Sequence, residues 1–171
     1  MSSDAATEST GLFDLIVARA LWKLQSDEAP TAIDAATRAL VEGQDSGPLR
    51  ELAGVAPDIN VFELGALIES ALTWAGVDVG ELTEDDALHL VTRHHVERVL
   101  RGEMDIRELT GWAHYKIGHE GPAWAQDLVD LDDRYDGFAS GWGEKPNCVP
   151  TLERYLMTSQ PALRKWERHV R

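Results

Sequence analysis

Residues 105–136, DIRELTGWAHYKIGHEGPAWAQDLVDLDDRYD, decide the fold. Asp105 with Glu108 three positions on is a helix-start pair, because each side chain can satisfy an amide that the first turn leaves orphaned. Ile106, Leu109, Ala113 and Ile117 then recur at helical spacing on one side, and Gly118 stops the run. Gly118-His119-Glu120-Gly121-Pro122 is too short and too glycine-rich for anything but a tight turn. Near Pro122 a second helix begins, with Trp124, Leu128, Leu131 and Tyr135 on its apolar stripe. The segment therefore reads as two helices folded back on each other.

Outward from this hairpin the same period continues. The spacing predicts a first helix from about Thr10 to Leu24, with Phe13, Ile16, Val17, Ala20, Leu21 and Leu24 on one face. A second runs from Pro30 to Gly43 with Ile33, Ala36 and Leu40 inward, and a short third lies between Ser46 and Gly54. Asn60 with Glu63 opens a fourth as a reciprocal cap, and Gly76 closes it. Thr83, followed by Glu84, Asp85 and Asp86 at the positive end of the helix dipole, opens a fifth that continues to Gly102 and is expected to be the longest. Residues 137–147, GFASGWGEKPN, have no period and read as a glycine-rich loop. A short helix from Pro150 to Met157 and a separate basic one over 161–171 follow. No convincing alternating strand or Asn-Gly hairpin is present, and no fixed-period repeat is strong enough to define a solenoid, although the run of helix pairs keeps that as a second architecture. The reading is all-α: a compact bundle of about seven to nine helices in one domain over 10–171, behind a disordered tail over 1–9.

Composition agrees with a packed chain. The 171 residues are 43% apolar and 27% charged, enough to bury a core without disulfide or metal staples. Cys148, the single cysteine, has no partner for an internal bridge, and the polar start MSSDAATEST does not read as a secretory leader. The cytoplasm is the expected compartment. No apolar run reaches the ~18 residues of a membrane span.

Net charge is −14, distributed as −17 over residues 1–150 and +3 over 151–171. A body this negative repels phosphate backbones, so nucleic-acid binding is disfavoured, whereas a basic protein would be steered toward it. In composition, though in no motif, the chain is similar to bacterial immunity proteins and other neutralising partners of basic toxins. That resemblance implies partner binding rather than catalysis and assigns no residues.

Two sets of side chains are candidate sites. Trp112 projects about 120° away from Ile106, outside its helix stripe, and Trp142 stands in the glycine loop. With Asp127, Asp130, Asp133 and Asp136 they make an acidic surface with aromatic anchors, the composition of a protein-docking patch. Homo-oligomerisation through the same tryptophans is another use of it. Trp22 and Trp74 fall near helix stripes, and Trp166 rides the basic last helix. The second set is His114, His119, Asp132 and Asp136, which the turn brings together as possible ligands for zinc or iron in a metal-dependent helical enzyme. The plainer alternative is that the aspartates form a solvated acidic surface while His119 shapes the turn. His95 shares a stripe with Leu88, Val91 and Val99 and is expected to be partly buried, with its neighbour His94 solvated. Cys148 has no helix start after it and only Lys145 as a nearby cation, so it reads as inert. With no Gly-x-Ser-x-Gly elbow, phosphate loop or dinucleotide turn, no cofactor is called for.

Overall fold

The computed structural model describes residues 10–25 and 29–170; the tail expected over 1–9 lies outside them. Among the described residues there are eight α-helices and no strand, as the periodicity predicts: α1 (Gly11–Lys23), α2 (Ala29–Val41), α3 (Gly47–Ala53), α4 (Val61–Trp74), α5 (Glu84–Leu100), α6 (Ile106–Lys116), α7 (Gln126–Ala139) and α8 (Val149–Glu167). None is long and apolar enough to cross a membrane. Short 3-10 turns lie at Ala123–Ala125 and Arg168–Val170. The helices group into two compact units, one from Met1–Val91 with Ala162–Arg171 and the other from Thr92–Pro161, so α5 and α8 contribute to both.

In the first unit α1 starts where expected, with the Thr10 hydroxyl accepting from the Phe13 amide at 3.2 Å. Its inward face is Leu12, Leu15, Ile16, Ala20 and Leu21, and α2 meets it with Ala32, Ala35, Ala36 and Ala39. Ile33 and Leu40, expected inward on α2, are only partly buried, and the alanines carry the contact instead. Small residues are needed here, because a Cβ on Gly11 would lie 2.3 Å from the Ala39 amide nitrogen. α4 buries Leu64, Ile68, Ala71 and Leu72, and presents Gly65 to the indole of Trp22, whose Nε1 donates to the Val61 carbonyl at 2.7 Å. The end of α8 returns to this unit: Leu163 and Trp166 are 1% exposed, and Lys165 lies 3.5 Å from the Asp86 carboxylate. The basic end of the chain thus supplies a counter-charge to an acidic helix start.

In the second unit Val96, Leu109, Ala113, Leu128, Val129, Leu152 and Tyr155 form the core. Reciprocal caps occur at Asp105–Glu108, as expected, and at Thr83–Asp86 on the start of α5. Asn60 accepts from the Phe62 amide at 2.9 Å and caps α4 by itself.

Three boundaries differ from the sequence expectation. α7 continues to Ala139, so the glycine-rich loop begins at Ser140 and not at 137; the Tyr135 hydroxyl donates to the Pro146 carbonyl (3.3 Å) and ties down its far end. α8 is one helix of 19 residues, longer than the 17 of α5, where a short helix and a separate 161–171 helix were expected. Pro161 removes one amide donor, yet the buried positions Leu152, Tyr155, Ser159, Leu163 and Trp166 keep helical register straight through it. Arg93 holds the preceding turn, its Nη1 donating to the Leu156 carbonyl at 3.3 Å and to Gln160 Oε1 at 2.9 Å. Tertiary packing overrides a local start signal.

Candidate functional site

The α6–turn–α7 hairpin carries the site. Gly118 has φ +69, a backbone region that L side chains rarely adopt, and so releases the chain from α6. Gln126 in the first turn of α7 then donates from Nε2 to the carbonyls of Gly118 (3.1 Å) and Gly121 (3.2 Å) and fastens the turn. This sets a polar stripe of α6, Arg107, Thr110 and His114, against Asp132, Asp133 and Asp136 of α7.

Asp132 is the anchor. It is 6% exposed, and its Oδ1 accepts from Arg107 Nη1 and from the Thr110 hydroxyl, both at 2.7 Å. Arg107 also donates to the Asp132 carbonyl at 3.1 Å and, through Nη2, to the Asp136 carboxylate. A buried carboxylate is tolerated only when compensated in this way. The reading of these aspartates as merely solvated therefore fails for Asp132, and Asp136 is committed to Arg107.

Around this anchor His114, His119 and Asp133 bring three ligand atoms within 4.8 Å of one another. His114 Nδ1 lies 3.6 Å from Asp133 Oδ1 and 3.2 Å from Asp132 Oδ2, and His119 Nε2 lies 3.3 Å from Asp133 Oδ2. Although carboxylate oxygens stand this close, His114 Nδ1 is shut off from solvent and makes no hydrogen bond. The two rings meet edge to face at 5.1 Å. Of the four ligands expected from the sequence, His114 and His119 come together; Asp133, rather than Asp132 and Asp136, completes the set.

The expected docking residues divide. Trp142 is 78% exposed, and Asp130 is exposed on α7. Asp127 pairs with Arg154 at 2.8 Å, an exposed pair of the kind that exchanges partners at little cost. Trp112 is not an exposed anchor: it is half-buried against the second-unit core, its ring edge-on to His95 at 4.9 Å. His94, expected in solvent, is half-buried beside it, with burial and then the charges of Arg98 and Arg101 pushing its pKa down to about 4. Burial likewise pushes His95 down to about 3, so both rings are neutral. Trp74, expected near a stripe, is 52% exposed.

Sequence reasoning missed Arg107, Thr110 and Gln126. The first two carry a readable signal, since Arg107, Thr110 and His114 at i, i+3 and i+7 form a polar stripe beside the apolar one. Compared with family models, curated proteins and solved structures, the chain matches none of them.

Proposed function

We propose that this protein is a non-enzymatic binding domain whose acidic surface takes a basic protein partner, as a neutralising protein of the immunity type does. The observation that carries the reading is the outer face of α4. Phe62 is 76% exposed, Trp74 is likewise outward, and Ala66, Glu69 and Thr73 share an arc of about 60° with Phe62, with Glu63 at its side. Residues 1–91, which contain this helix, hold seventeen acidic side chains and four basic ones, a net −13. Outward aromatics supply contact area that a soluble surface has no internal use for, and the surrounding field favours a cationic surface over a neutral one. Residues 92–161, which include the expected patch around Asp127–Asp136 and Trp142, carry only −4; Asp132 and Asp136 are paired with Arg107 within the hairpin and Asp127 with Arg154 of α8.

The test compares wild type with two surface variants, Phe62→Ser/Trp74→Ser and Glu63→Lys/Glu69→Lys. Proteins retained from a host extract are identified, purified and titrated across a range of salt concentrations. Support is a basic partner whose affinity falls with ionic strength and is roughly tenfold weaker or more for both variants. A partner indifferent to salt and to both pairs of substitutions overturns the reading. A second reading, metal-dependent chemistry, is favoured by the convergence of His114, His119 and Asp133.

A further inference from the structure

We infer that His114, His119 and Asp133 form a binding site for a divalent first-row transition metal ion. Two ligands each 2.0–2.2 Å from a tetrahedral ion stand roughly 3.4 Å apart. His114 Nδ1 lies 3.6 Å from Asp133 Oδ1 and His119 Nε2 lies 3.3 Å from Asp133 Oδ2, so one carboxylate oxygen faces each imidazole near that spacing, and one ligand atom from each residue falls within 4.8 Å of the others. A hydrogen-bonded imidazole–carboxylate pair would have an N–H aimed at an oxygen. His114 Nδ1 has no such alignment with either neighbouring carboxylate, although it is closed to water. A ring nitrogen without a hydrogen bond, set beside carboxylate oxygens at this spacing, is an arrangement that a cation can join.

The donor set selects the ion. Two imidazoles and one carboxylate suit zinc, iron(II) or cobalt(II) better than the all-oxygen shell that calcium and magnesium prefer. The surroundings are those of a supported site. Asp132, fixed by Arg107 and Thr110, has only Oδ2 left, and that atom lies 3.2 Å from His114 Nδ1. Standing beside the same nitrogen that faces Asp133, it adds negative charge where a cation would sit. His119 sits in the turn held by Gln126, so its position rests on ordered backbone. His119 and Asp133 are 53% and 49% exposed, which gives an ion a path in from their side and leaves coordination positions for water. The site is independent of the docking surface, and either stands if the other fails.

Cobalt(II) titration of the full chain without an affinity tag tests it, because the ion's visible d–d absorption reports both binding and geometry. One equivalent bound with tetrahedral or five-coordinate bands, displaced by zinc, is expected. His119→Ala and Asp133→Asn should each weaken binding roughly tenfold or more, while His169→Ala, in the C-terminal 3-10 turn, should leave it unchanged. Both informative substitutions are at exposed side chains, and helical circular dichroism checks that they fold. No cobalt bound at millimolar concentration overturns the proposal. So does binding that survives both His119→Ala and Asp133→Asn undiminished.

Discussion

Arg107 and Asp132 are joined by a 2.7 Å charged hydrogen bond that spans twenty-five positions of sequence and puts a carboxylate in the interior of a helical hairpin. The pair locks α6 to α7 at a polar seam beside the apolar one. Removing the guanidinium leaves a buried carboxylate held only by the Thr110 hydroxyl. Because Arg107 is partly exposed, the cost is below that of a fully buried pair: Arg107→Ala is expected to destabilise the protein by about 2–3 kcal/mol. Chemical denaturation measures this directly. An unchanged midpoint would show that the seam contributes nothing.

The neutral pair His94 and His95 makes stability depend on pH. Both pKa values are lowered by burial, to about 4 and about 3, from 6.5. Between those limits the unfolded chain binds protons that the folded chain does not. Stability is therefore fully present above pH 6.5 and lost as the pH falls toward 4, by up to roughly 1.4 kcal/mol per pH unit for each group. Denaturation midpoints at several pH values below 7 should slope accordingly, and His95→Leu should flatten the slope. If that substitution leaves the slope intact, His95 is not the group responsible.

Gly65 is held to hydrogen by Trp22. A Cβ there would lie 2.6 Å from the indole Cε2, so Gly65→Ala must displace the ring and its bond to the Val61 carbonyl. A loss of about 1–3 kcal/mol is expected, and the double change with Trp22→Leu should cost less than the sum of the two singles. Strict additivity in that cycle would contradict the contact.

Pro161 sits inside α8 without ending it. Pro161→Ala restores an amide donor to the helix and returns some freedom to the unfolded chain, two effects of opposite sign. The expected balance is a gain of about 1 kcal/mol with helical content unchanged, read from the thermal midpoint and circular dichroism. A fall in both would mean that α8 depends on the proline.

Much of this structure was legible because its signals are local. Asp105 caps the helix it was expected to cap, the helices expected to begin near Thr10 and Ser46 do begin there, and the Gly118 turn reverses the chain where the residues say it does. What escaped were relations between elements. Trp112 lies off its own helix stripe, as angular spacing requires, but another helix covers it through His95, and no single-helix projection contains that neighbour. The same holds for Asp132: its partners are on α6, and only the meeting of two polar stripes explains why an aspartate in an acidic run is buried. Ser159-Gln160-Pro161 has the grammar of a helix start, and only the buried row from Leu152 to Trp166 overrules it.

The placement of Trp166 bears on the order of assembly. It and Leu163 fill the interior of the unit whose other residues end at Val91, with residues 92–161 made in between. On the ribosome, the intervening helices emerge before the plug that seals the earlier ones. The earlier helices of that unit thus wait, with their apolar centre uncapped, until Leu163 and Trp166 have followed.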